Sequence, residues 1–226
     1  MLKVATVKLM ALFASITFLA ACATTEMPAI SPEGLVLQPD TKVGALYMKP
    51  GATLKGYDEF GVTDCNVAFR KNWLRDQNSQ RLDLSNRVSQ RDVDRIKDNL
   101  SAHCEEAFRA ALQEEPAYNI VEEFSEGEQV LILRPSIVNL DINAPDTMSA
   151  GMSRSYTTSA GEMTLILEVI DATTGELLAR AIDKKRGLDT GRLEWSNSVT
   201  NRADADRALK AWAKQLRAAL DRAHGM

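Results

Sequence analysis

Two imidazoles, His103 and His224, and three thiols, Cys22, Cys65 and Cys104, are the side chains best suited to nucleophilic, acid–base or metal chemistry. Their spacing supports little of it. No C-x-x-C, H-x-x-x-H or H-E-x-x-H gathers metal ligands. Gly151-Met152-Ser153-Arg154-Ser155 approaches a nucleophile elbow but lacks its second glycine. No S-x-x-K or G-x-G-x-x-G is present. His103 falls at the border of an apolar helix stripe, the place of a boundary residue more often than of a general base. His224, next to the C-terminus, is expected to fray. Carboxylate pairs such as Asp141/Asp146 or Asp171/Asp183 fit acid–base work on a glycan. Among 31 acidic residues, however, nearness in sequence selects none of them. The sequence therefore offers no catalytic set, no metal site and no cofactor site, and the expectation is a non-enzymatic protein.

Cys22 is the thiol with a defined chemical context. Lys3 and Lys8 form a positive start, and residues 9–19 form an apolar stretch too short to span a bilayer, which takes about 20 residues. Leu19-Ala20-Ala21-Cys22 then resembles a bacterial lipobox, in which the cysteine sulfur is alkylated by a diacylglyceryl group before cleavage. Small residues ahead of the thiol let a peptidase fit the extended backbone. Each buried methylene contributes about 0.8 kcal/mol, so two or three acyl chains hold a protein almost permanently. An ordinary export signal cleaved within Ala21-Cys22-Ala23 is the open alternative. Ala23 after the cysteine, rather than an acid, resembles the outer-membrane sorting signal of enterobacterial lipoproteins. The expected organisation is a lipoprotein signal peptide over 1–21, a lipidated flexible tether over 22–40 rich in proline and small residues, and one domain over 41–224. The leader carries two lysines and no acids, so its removal changes the net charge from −4 to −6. That balance argues against nucleic acid as a partner and against electrostatic adhesion to anionic lipid.

The remaining thiols form a pair. Cys65 shares one face of a strand with Val67 and Phe69, and Cys104 shares a helix face with Ile96, Leu100 and Phe108. Both point toward a core in an oxidising compartment, where a Cys65–Cys104 disulfide closing roughly 40 residues is worth about 3–4 kcal/mol. Two buried free thiols are the alternative.

The elements that position these groups follow from periodicity. Strands are expected over 43–48, 62–70, 118–124 (an edge), 130–142 and 161–171, with 176–183 closing a hairpin through Ala172-Thr173-Thr174-Gly175. The start of 130–142 is apolar on both faces, as in a central strand. Residues 71–88 are polar and read as a surface loop anchored by Trp73 and Leu74. Ser89 and Asp92 resemble a capping box opening a helix that runs to about 115, before Pro116. Asn201 with Asp204 reads as the cap of a last helix whose apolar face holds Leu209, Trp212, Leu216 and Leu220. Two amphipathic helices packed on a mainly antiparallel sheet give a single α+β domain.

The succession RPSIVNLDINAPD (134–146) and SAGEMTLILEVIDATTGELLARAID (159–183) resembles the family catalogued as domain of unknown function 3313. The likeness is strongest over 130–185 and extends over 35–222. It implies an exported bacterial protein, often a lipoprotein, and supplies no catalytic residues.

Binding features are few. The 144–158 loop carries Met148, Met152, Arg154 and Tyr156, residue types enriched at interfaces, and is read equally as a partner-binding loop or a solvated crossover. Arg207, Lys210, Lys214 and Arg217 make a basic stripe on the last helix, fit for an acidic partner or simply for solvent. The reading is a lipid-anchored lipoprotein of the bacterial envelope, held in the outer membrane with its domain in the periplasm. It would serve another envelope protein by binding. A carrier of a lipid or other apolar ligand, or a glycan-acting enzyme, is the alternative.

Overall fold

The computed structural model describes residues 27–79, 81, 87–125, 128–142, 156–157, 161–186, 194–195 and 198–226. Within 156–157, 194–195 and 198–201 it describes the backbone alone. The proposed lipidation residue Cys22 and the loop residues Met148, Met152 and Arg154 lie outside the described residues, and of Tyr156 only the backbone is described.

Alternation and the tight turn produce the centre of the fold. β6 (Val130–Asp141), β8 (Glu162–Asp171) and β9 (Leu177–Arg186) pair antiparallel in sequence order. The β8–β9 turn is fixed by Asp171, whose carboxylate accepts from Thr173 N–H at 2.9 Å, and by Gly175 at φ 70°. β2 (Ala45–Met48) adds antiparallel to β9, and β1 (Val36–Leu37) to β2. On the other side of β6 the pairing turns parallel. β3 (Glu59–Val62) lies along its first half and β4 (Asn66–Phe69) along its second, with edge strand β5 (Asn119–Val121) on β3. The single strand expected over 62–70 is thus two strands separated by the segment holding Cys65. Sheet order is β1-β2-β9-β8-β6-β3-β5. β7 (Tyr156–Thr157) and β10 (Glu194–Trp195) form a separate two-stranded ribbon.

One sheet face carries the long helices. α2 (Gln90–Leu112) begins with the expected reciprocal cap: Asp92 N–H donates to Ser89 Oγ at 3.3 Å, and Ser89 N–H to Asp92 Oδ2 at 3.0 Å. Val88 and Val93 bracket that cap and pack together as a hydrophobic staple. The stripe Val93, Leu100, Cys104, Phe108 and Leu112 is buried as its 3.6-residue period requires. α3 (Ser198–His224) starts four residues earlier than a cap at Asn201 allows, and Asp204 pairs with Arg207 instead. The interior between sheet and helices is filled by Phe60, Phe108, Leu131, Leu133, Ile137 and Trp212, each 2% exposed or less. Cys65 and Cys104 are joined by a disulfide, Cα atoms 6.0 Å apart, which ties the β3–β4 link to α2.

Two stretches differ from expectation. Residues 71–88 contain a short helix, α1 (Trp73–Ser79). Trp73 is 1% exposed, stacks on Phe69 at 4.0 Å and donates its Nε1–H to Ile142 O at 2.8 Å. The tether expected over 22–40 is folded onto the sheet from Pro28 onward. Ile30 bridges Val36, and Tyr47 Oη–H donates to Pro28 O at 2.9 Å. Glu33 forms two hydrogen bonds with Arg180 of β9 at 2.9 and 3.0 Å.

Candidate functional site

α2 and α3 lie side by side and run in the same direction. His103 faces Asp206 near the start of the contact, and Ala111 faces Arg217 two turns further on. The last carbonyls of α2 lack intrahelical donors and carry partial negative charge, which a cation can satisfy. Arg217 is that cation. Its Nη1 donates to Ala111 O at 3.1 Å and Glu114 O at 2.6 Å, its Nη2 to Pro116 O at 2.7 Å, and its Nε to Asp221 at 2.6 Å. The guanidinium also lies 4.7 Å from the centre of the Tyr118 ring. Burial pushes the Tyr118 hydroxyl up to about 12, helped by its bond to Asp221. Burial alone would raise the Asp221 carboxyl, but the bonds from Arg217 and Tyr118 outweigh it and hold the group below the usual range. Arg217 is therefore not part of an exposed basic stripe. It is 6% exposed and caps the neighbouring helix.

α3 is fastened to the sheet through another buried carboxylate. Asp183 of β9 accepts from Trp212 Nε1–H at 2.7 Å and from Gly44 N–H at 2.9 Å. Burial opposes its charge, yet these bonds and Lys185 keep its pKa lowered. Asp171 binds its own turn, and Asp141 pairs with Arg70 at 2.7 Å. The described members of the acid pairs singled out in sequence thus do structural jobs, and they do not converge.

With the helices so fixed, a half-open groove of about 480 Å³ runs along their outer surface. Its floor is small and apolar: Ala107, Ala110 and Ala111 from α2, Leu209 and Ala213 from α3. Its walls differ in charge. The α2 wall carries Glu106 and Glu114, and the α3 wall carries Arg202, Lys210 and Lys214 with one acid, Asp206, among them. At one end His103 Nδ1 lies 3.7 Å from Glu106 and 3.9 Å from Asp206, beyond hydrogen-bond reach of either. Lys210 and Lys214 are the two members of the basic stripe that reach this groove, and Arg207 turns to Asp204. Alanines at 107, 110 and 111, set against charges at 106 and 114, were the sequence signal for the α2 wall. Periodicity alone assigns such alanines to the core.

A second depression of about 360 Å³ lies on the opposite sheet face, over Ile132, Ile170 and Leu177, with Phe124 beside it. Its polar rim is already paired: Arg134 reaches Glu168 at 3.4 Å, and Glu168 reaches Arg180 at 2.8 Å. His224 is not frayed. Its Nδ1 lies 2.8 Å from Leu220 O and its Nε2 3.1 Å from Tyr57 O. Among the described residues no three His, Cys, Asp or Glu side chains form a metal cage, and no helix is long and apolar enough to cross a membrane.

A family profile described as "Protein of unknown function (DUF3313)" matches residues 33–216. No curated protein matches the chain. Among solved structures, a PelC dodecamer from Paraburkholderia phytofirmans is similar at 11% identity and a TM-score of 0.37, covering 76% of this chain and 96% of that one. A variant of the same PelC dodecamer gives 10% identity and a TM-score of 0.39, covering 78% and 98%. A putative neuraminyllactose-binding hemagglutinin homolog from Helicobacter pylori gives 8% identity and a TM-score of 0.29, covering 75% and 87%.

Proposed function

The chain belongs to the DUF3313 family, whose function is unknown, and we propose that it is a lipid-anchored binding module of the bacterial envelope, without enzymatic activity. Its N-terminal pattern supports an acylated Cys22, an outer-membrane location and a domain facing the periplasm. The α2–α3 groove is the surface that receives a partner, a helical segment of another envelope protein. One observation carries this reading: the groove opposes an acidic wall to a mainly basic one over a floor of alanines and Leu209. Glu114, Lys210 and Lys214 have no ion-pair partner within the described chain. An alanine floor lets a helix backbone approach closely, and the two walls fix its register through opposite charges. A bound helix would present basic residues to α2 and acidic residues to α3.

The carrier alternative finds no support in the packed interior between sheet and helices. Of the acids singled out for a glycan-acting enzyme, Asp141, Asp171 and Asp183 are each engaged elsewhere. The test is crosslinking and co-purification from solubilised envelopes with Lys210→Glu/Lys214→Glu against the parent protein. The double variant should keep its fold and membrane residence while losing the crosslinked partner about tenfold or more, as like charges meet across the groove. Equal recovery would reject the groove. For the anchor, Cys22→Ser should move the protein from the membrane to the soluble fraction.

A further inference from the structure

The described residues include four large hydrophobic side chains that remain well exposed: Met27, Ile30, Val36 and Met226. Three of them fall within ten residues of one another at the N-terminal border of the sheet. Ile30 and Val36 are direct antiparallel partners, so their side chains emerge on the same side of the pair. Ile30 is 61% exposed and Val36 37%.

This patch is held firmly in place. Leu37 N–H donates to Ala29 O at 2.9 Å, Ser31 N–H to Leu35 O at 2.8 Å, and Leu35 itself is 1% exposed. The nearby carboxylate of Glu33 is neutralised by Arg180, so no unpaired charge of that segment opposes an apolar contact. The patch occupies the outermost edge of the sheet, since Ala29 and Ile30 lie beyond β1.

Chain length decides what covers it. Five peptide steps separate Cys22 from Met27, which at full extension reach at most about 18 Å. We infer that Met27, Ile30 and Val36 form a second membrane contact, seated in the interfacial layer of the bilayer that holds the acyl chains. This rests on the proposed acylation of Cys22 and adds an orientation to it. The anchor keeps the patch at high effective concentration against lipid, and the apolar side chains supply an attraction that an acidic protein lacks electrostatically. The sheet then stands edge-on. Across the seven strands of its path, spaced by about 4.8 Å, the β5 edge projects roughly 29 Å further from the bilayer than β1. Both sheet faces, including the α2–α3 groove, stay open to the periplasm.

Met226 supplies the control. It is 57% exposed, and His224 packs against Tyr118 and Tyr57 at the β3–β5 end of the sheet. Full-length acylated protein carrying Ile30→Trp or Met226→Trp would be reconstituted into phosphatidylethanolamine–phosphatidylglycerol vesicles with brominated acyl chains. The emission of the parent protein is subtracted. Most of the emission added by Ile30→Trp should be lost to bromine quenching, and that added by Met226→Trp should be unchanged. Absence of quenching at both positions, or equal quenching at both, in protein that floats with the vesicles overturns the contact and leaves the anchor standing. Protein that fails to float overturns the anchor, and the contact with it.

Discussion

Two arginines each join distant parts of this chain, and they do so under opposite conditions. Arg217 has a side chain 7% exposed and spends its donors on three backbone carbonyls and Asp221. Arg180 is 20% exposed and joins Glu33 of the N-terminal segment to Glu168 of the sheet. The buried carbonyl of Ala111 loses its donor if the guanidinium is removed, so the cost falls on the packed interior. The partners of Arg180 can be rehydrated and are screened by salt, so the cost of losing it stays local. The helix side of the protein is thus a platform locked by buried bonds, and at the β1 edge, the seam, one part of the attachment is an ion pair that salt and pH can weaken.

The largest expected loss comes from the cross-link on the platform side. Cys65→Ser/Cys104→Ser should lower unfolding free energy by about 3–4 kcal/mol, since the bridge spans a sequence separation of 39. Urea denaturation measures it, and a change under about 1 kcal/mol would mean that the unfolded chain already holds these segments together. Next is Arg217→Met, which keeps the stem but orphans the buried carbonyl of Ala111 near the end of α2. A loss of about 2–3 kcal/mol is expected, with little dependence on salt. A salt-sensitive loss would show that the site is wetter than its burial implies.

The smallest effect tests the seam. Hydrogen bonds from Arg180, then from its own backbone and from Ser31, hold the Glu33 carboxyl at about 2 against an ordinary 4.5. Because the folded value is the lower one, the stabilisation is complete above about 4.5 and disappears as pH falls from there toward 2. Amide exchange over residues 29–37 should therefore quicken through that window while β6 and β8 stay protected. Arg180→Gln should reproduce the same loosening at neutral pH. Unchanged exchange in both experiments would mean that Leu35, Tyr47 and the backbone bonds hold the segment without the ion pair.

The platform was largely readable from sequence and the seam was not. Ser89 with Asp92, the stripe from Val93 to Leu112 and the turn around Asp171 are local patterns, complete within a few residues. The two cysteines could be placed on inward faces by the same means. Trp73 illustrates the opposite case. Its surroundings are polar, and its burial depends on Ile142 O, 69 residues away. Residues 27–40 looked like a tether because they contain proline and small residues. Whether such a stretch is free or docked depends on Tyr47 and Arg180, which no local pattern connects to it.

By itself the sequence determined the periodic elements, the α+β class, the facing cysteines, the family and an acidic composition. The tertiary structure decided which charges are buried, which alanines floor a groove, and where the N-terminal segment lies. The division has one physical origin. Periodicity records which face of an element is apolar, but the fate of a polar side chain depends on the donors and acceptors that distant elements bring to it. Arg217 shares its outward heptad neighbourhood with Lys214, and only the end of α2 makes one a buried cap and the other a groove wall.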